Sequence, residues 1–329
     1  MKNLVPASFR GCVLVRRDGE ILLKSCRGMR DLPNELPNGM DTRFPTASAG
    51  KAFVAVAILQ MIEHGKLDFE DTVGELLPFD LGQIDPDITV RQLLNHTSGV
   101  PDYFDESVMD DYAELWADFP NYRIRRNGDL FPLFFDKPML YAPGERFQYN
   151  NSGYVMLAAI IEQLTGLPFD EHLQSAVFDP AGMTRTGYFE LDRLPGNCAN
   201  AYIWDETRQE YYSNIFSVDA KGTGCGGAFT TVIDTAKFWD ALYGGKLLSD
   251  AFVEMMTCIQ AEAQWEDPYG FGFWLKRRDG MQLPYFEGCD PGVSFISMRD
   301  PESGLEITAV SNFGDDVWAL QRLILEEMI

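Results

Sequence analysis

The residues from Cys12 to Ser25, CVLVRRDGEILLKS, read as two apolar strands around an Asp18-Gly19 turn, the signal of a hairpin. A lone two-stranded hairpin is marginally stable in water, so this one must pair with something. Strand patterns return only in the last third of the chain. Residues 270–288 (GFGFWLKRRDGMQLPYFEG) and 292–312 (GVSFISMRDPESGLEITAVSN) each read as strand, Asp-rich turn, strand. The pairing this forces is a largely antiparallel sheet built from both ends of the chain, flanked by helices, with a helical insertion between. That is an α+β architecture. The chain closes on an amphipathic helix, DDVWALQRLILEEMI.

The chain has 329 residues, of which 46% are hydrophobic, enough to bury a large core in one big domain or two of ordinary size. The spacing of the elements predicts a sheet domain from residues 1–70 and 220–329 and a mostly helical domain from 71–219. Within the first, PNELPNGMDTRFPT reads as loop. Ala52 to His64 is apolar on every face, which marks a buried helix, and Gly65 is placed to end it. Within the second, NSGYVMLAAIIEQLTG has helical length and a terminal Gly166, whereas residues 105–138 read as short helices and loop.

The net charge of −23 argues against nucleic acid or an anionic membrane as partner, because both repel an acidic surface. The longest apolar stretch, Ala52 to Ile62, is far shorter than the ~20 residues a membrane span needs. The first residues, MKNLVPASFRGCVLV, do not read as a signal peptide. Six cysteines, at 12, 26, 198, 225, 258 and 289, show no C-x-x-C spacing. Together these predict a reduced cytoplasmic protein with free thiols.

Two short motifs carry candidate chemistry. In Ser48-Ala-Gly-Lys51, hydroxyl and amine lie three residues apart at a helix start, so they share one face. A buried lysine sheds its proton easily, and a neutral amine beside a serine makes it a nucleophile. The alternative is a capping serine followed by a snorkelling lysine. In PGERFQYNNSGY, Tyr149 and Asn151 precede the long helix. A phenol near a lysine is acidified and can shuttle protons. The alternative there is a loop tyrosine and a helix cap. His64, His96 and His172 are scattered, and His96 reads as a backbone-bonded structural residue. No G-x-S-x-G elbow, Walker or Rossmann glycine pattern and no metal-ligand spacing occurs.

With these residues in place, the chain resembles the serine β-lactamase and penicillin-binding-protein superfamily, in its class C-like branch. DTRFPTASAGKAF resembles the S-x-x-K segment, LLNHTSGVPDY the L-L-x-H-T-S-G signature, and PGERFQYNNSGYVMLAAIIEQLTGLPF the Y-x-N segment. Each motif alone is weak; three in this order are specific. The resemblance implies a β-lactamase/transpeptidase-like fold, an active site in the cleft between the two domains and an acyl-enzyme on Ser48. Lys51 would be the proton partner of Ser48 and Tyr149 its general base. Asn151 would hold the substrate or Lys51. No cofactor or metal is implied.

The third family motif, K-T-G or H-x-G, falls on Phe286-Glu287-Gly288, anchored by Asp290-Pro291-Gly292. Gly288 fits. Phe286 replaces the usual cation, and Glu287 adds negative charge. The backbone N–H groups of Ser48 and Cys289 would form the oxyanion hole. Read as substrate-binding residues, Phe286, Glu287 and Gly288 disfavour anionic substrates. The expected function is a serine hydrolase of small neutral or amine-bearing esters, amides or peptides. Alternatives are D,D-peptidase, penicillin-binding or β-lactamase activity, or a catalytically inactive binding protein on the same scaffold. The partner is a small-molecule or peptide substrate. Oligomeric state is not legible.

Overall fold

The computed structural model describes residues 4–109, 111–264 and 266–328. The first three residues, Asp110 within the 105–138 stretch, Trp265, and Ile329 at the end of the segment read as a closing helix lie outside that description. The N-terminal hairpin is β1 (Gly11–Arg17) and β2 (Glu20–Arg27). Asp18 and Gly19 both take positive φ, 50° and 82°, the conformation a two-residue hairpin turn needs. Four strands follow near the other end: β3 (Trp274–Arg278), β4 (Met281–Asp290), β5 (Val293–Arg299) and β6 (Leu305–Ser311). They join the hairpin in one antiparallel sheet of order β2-β1-β6-β5-β4-β3. Gly11 lies opposite Ser311 and Arg17 opposite Leu305, so the two ends of the chain do share a sheet.

The sheet is buried on both faces, which explains why CVLV is continuously apolar. Side chains alternate across a strand. Val13 and Val15 join Ile296, Met298 and Ile307 beneath α4 (Val317–Met328), through Val317, Leu320 and Ile324. Cys12 and Leu14 face the larger core with Phe53, Phe286 and Phe295. That core centres on α1 (Lys51–Glu63), where every residue from Ala52 to Leu59 has no solvent exposure. Helix α2 (Asn151–Thr165) packs against α1, and α3 (Val232–Tyr243) completes the core with Phe238 and Trp239. Gly65 and Gly166 end α1 and α2 as the sequence predicts.

The 105–138 stretch is a set of short turns, Tyr112–Trp116, Asn121–Arg123 and Asn127–Leu133. The middle is not all-helical. A two-stranded ribbon pairs Tyr202–Asp205 with Glu210–Ser213. Four-residue strands are too short for alternation to stand out from loop. A second correction concerns the thiols. Cys12 and Cys26 are directly opposite in the β1–β2 register and are joined as a disulfide. Their sequence spacing hides this, because only the hairpin register brings them together. The free-thiol argument for a cytoplasmic protein therefore falls. Among the described residues, no helix is long and apolar enough to cross a membrane.

Candidate active site

Ser48 sits in a short 3-10 turn, Ala47–Gly50, that leads directly into α1. The turn is held from both sides. The Thr46 N–H donates to Ala228 O at 2.8 Å, and the Gly227 N–H donates to Ala47 O at 3.0 Å. Ala47 adopts φ 47°, a strained conformation for a residue with a Cβ. On the sheet side, β4 presses its backbone against the turn. A Cβ on Gly288 would stand 2.6 Å from the Ser48 nitrogen and 2.3 Å from Thr46 O, so only glycine fits there.

Lys51 occupies the first turn of α1 and is 2% exposed. Its Nζ donates to Ser48 Oγ at 2.9 Å, to Asn151 Oδ1 at 2.8 Å and to Cys225 O at 2.6 Å. Burial pushes the Lys51 pKa down; the charges around Cys225, Glu106, Asp102 and Asp290 oppose it. The geometry also aims the amine. Two of its partners are carbonyl oxygens, which only accept. A neutral Lys51 has two N–H bonds, and these carbonyls take both. Its lone pair is then left facing the Ser48 hydroxyl.

Asn151 is held in turn by Asp102. The Asp102 carboxylate accepts from the Asn151 N–H (2.6 Å), Asn151 Nδ2 (3.3 Å), the Ser152 N–H (3.1 Å) and Ser152 Oγ (3.1 Å). It caps α2 and orients the amide that faces Lys51. Burial raises the Asp102 pKa to about 6 even against these donors.

Tyr149 is also brought to Ser48, but not acidified. Burial pushes its phenol well above 10, and the nearby negative charge of Glu106 adds to this; Ser48 offsets part of the rise. Lys51 Nζ stands over the face of the Tyr149 ring, 4.8 Å from its centre, and contributes no lowering that competes with burial. The expected acidic phenol is therefore corrected: the group moved toward neutral pH is Lys51.

The third motif is corrected as well. Phe286 is 2% exposed and packs among Phe53, Phe238, Trp239 and Phe273. Glu287 faces the other side of the sheet, where Trp318 Nε1 donates to it at 2.5 Å. Neither lines the cleft at Ser48. Strand alternation is the reason: Phe286 and Gly288 share the α1 face, and Glu287 points away from it. Of the three, Gly288 alone meets the serine turn. Cys289, next along, does line the cleft.

That cleft holds about 500 Å³. Its described lining includes Ser48, Asn151 and four carboxylates, Glu106, Asp111, Asp219 and Asp290, with no arginine, lysine or histidine. Asn151 Nδ2 donates to Glu106 Oε1 at 3.3 Å, and Tyr112 donates to Asp219 at 3.0 Å. Burial raises the Asp290 carboxyl above its ordinary range, and the charge of Asp219 raises it further.

Residues 8–323 match the family model described as Beta-lactamase. The chain belongs to the beta-lactamase family. It has the fold of that serine hydrolase superfamily. The crystal structure of a penicillin binding protein from Bacillus halodurans superposes with a TM-score of 0.93 at 36% identity, covering 97% of each chain. A penicillin-binding protein of Bacillus subtilis (strain 168) is 28% identical over 94% of this chain and 69% of its own length. The teichoic acid D-alanine hydrolase of Staphylococcus aureus is 25% identical over 84% of this chain and 64% of its own length. The chain thus spans about two thirds of the length of the curated relatives it matches.

Sequence reading of this beta-lactamase-family chain missed Asp102, Glu106 and Asp219. Asp102 stood inside the quoted segment LLNHTSGVPDY and could have been noticed there. Glu106 and Asp219 lie in stretches without periodicity, and no local signal ties them to Ser48.

Proposed function

We propose that this chain hydrolyses small esters or amides through an acyl-enzyme on Ser48, and that the preferred acyl group carries a free ammonium. The observation that carries the first part is the single buried amine shared by Ser48, Asn151 and Cys225. Lys51 takes the Ser48 proton as Oγ attacks the carbonyl carbon. The Ser48 and Cys289 N–H groups receive the developing oxyanion. The proton then passes through Lys51 and Tyr149 to the oxygen or nitrogen of the leaving group as its bond to the acyl carbon breaks, releasing an alcohol or amine, and water repeats the sequence on the acyl-enzyme.

The acidic cleft supports the second part. It lacks the cation that would hold a substrate carboxylate, and Glu106 is tethered beside Lys51 by Asn151. Burial raises Asp219 to about 7 and Asp290 to about 8, so a bound ammonium draws both toward their ionised forms and is held by them, whereas a carboxylate opposes that ionisation. The relative that hydrolyses teichoic acid D-alanine accords with an aminoacyl substrate.

Two measurements test this. A fluorophosphonate probe labels Ser48 in the wild type and not in Ser48→Ala, by peptide mass spectrometry; labelling elsewhere refutes the nucleophile. On matched p-nitroanilides, a free aminoacyl group is cleaved at least about ten-fold faster than its N-succinyl derivative, and Glu106→Gln narrows the ratio about three- to ten-fold. A faster succinyl substrate, or penicillin turnover above both, refutes the ammonium preference.

Activity also rises with pH. Lys51 must lose its proton to act, and Asp102 must be ionised to hold both N–H groups of α2. The acid limb of kcat/KM includes an inflection near pH 6, the raised value of Asp102. Asp102→Asn lacks that inflection.

A further inference from the structure

His96 shares no hydrogen bond with Ser48, yet it grips the chain on both sides of Tyr149. The Gln148 N–H donates to the His96 carbonyl oxygen at 2.9 Å. The Asn150 N–H donates to His96 Nδ1 at 3.1 Å. Residue 96 can present both acceptors because its backbone is left-handed, φ 59°, a conformation that costs energy in any residue with a Cβ. Its ring lies 4.5 Å from the Tyr149 ring centre, and Tyr269 (4.6 Å), Tyr154 (5.0 Å) and Phe147 (5.9 Å) close the other sides.

The tautomer follows from the contacts. Nδ1 accepts, so the proton is on Nε2. Burial, with the Lys51 charge adding to it, keeps the ring neutral. Nε2 is buried and has no hydrogen-bond partner among the described residues. A buried N–H without an acceptor costs about 1–3 kcal/mol. A leucine would fill the same aromatic cage without that cost. What leucine cannot supply is the acceptor at Nδ1 and the flat face against the phenol ring.

We infer that His96 is the positioning residue of Tyr149, clamping residues 148 and 150 and holding the phenol ring so that its hydroxyl meets Ser48. The inference rests on the role proposed for Tyr149 in proton transfer. His96 moves no proton itself. It fixes the direction in which Tyr149 can.

The test is a double-mutant cycle on Ser48 acylation and turnover of an aminoacyl p-nitroanilide. His96→Leu lowers kcat about 10–100-fold with KM within about three-fold of wild type. His96→Asn restores most of the rate, within about five-fold, because its Oδ1 stands where Nδ1 did and asparagine tolerates positive φ. His96→Gln carries its amide one carbon further and does not rescue. In the Tyr149→Phe background, His96→Leu costs nothing more. An equal loss in both backgrounds, or an inert His96→Leu, overturns the inference. Should His96→Leu fail to fold, the same cycle is run with His96→Gln against His96→Asn. If Tyr149→Phe alone matches wild type, it is the proposed role of Tyr149 that fails, and the two failures are told apart.

Discussion

Replacing Lys51 with methionine lowers the rate of Ser48 acylation about 10²–10⁴-fold, the range a positioned general base supplies. Methionine keeps the length and apolar stem of lysine and removes the lone pair. The loss is in chemistry, so KM changes little, and a stopped-flow burst with a p-nitrophenyl ester separates acylation from turnover. Raising the pH does not rescue the variant, because no other group near Ser48 has its pKa pushed toward neutrality from above: Tyr149 is held well above 10. Acylation within ten-fold of wild type would remove Lys51 as the base and leave the buried amine as a structural tie between α1, α2 and the 225 loop.

The second large effect belongs to Asp102. Asp102→Ala destabilises the fold by about 2–4 kcal/mol, combining a lost N-terminal cap with two buried N–H groups left without acceptors. Thermal unfolding shows this as a Tm lower by about 3–6 °C, given the unfolding entropy of a chain of 329 residues. Asp102→Asn is milder and exposes an opposition between stability and activity. The folded-state pKa of Asp102 is raised from 3.8 to about 6. Stability from this group is therefore full below about pH 4 and is lost as pH rises through 6. Activity runs the other way, since the ionised form aligns Asn151. Wild type loses stability relative to Asp102→Asn between roughly pH 4 and 6 while gaining rate over the same interval. Parallel pH profiles for the two proteins, in stability and in kcat/KM, would show that Asp102 does not titrate there.

The sheet, the buried helix and the meeting of Ser48 with Lys51 were all legible from local pattern. Hairpin turns, all-round apolarity and i, i+3 spacing act over a few residues, and each was met in the structure. The third motif was legible only as backbone. Gly288 is dictated by how closely β4 approaches the serine turn, but the directions of Phe286 and Glu287 depend on which face of β4 meets α1. The Cys12–Cys26 bridge and the acidic lining of the cleft depend on partners brought together by register and loop path. The shift of Tyr149 was misjudged because proximity to a cation was weighed without the burial that outweighs it.

The pairing of Gly11 with Ser311 has a consequence for how the molecule comes into being. Strand β1 leaves the ribosome about 300 residues before its neighbour β6, a delay of roughly 15–60 s at ordinary elongation rates. Until then the β1 edge is open, and the Val13 and Val15 face lacks α4. The serine turn waits too, since the strand that braces it, β4, is also made late. The nascent chain is thus without its nucleophile's brace until β4 has been made, and the β1 edge stays open to other strands over the same interval.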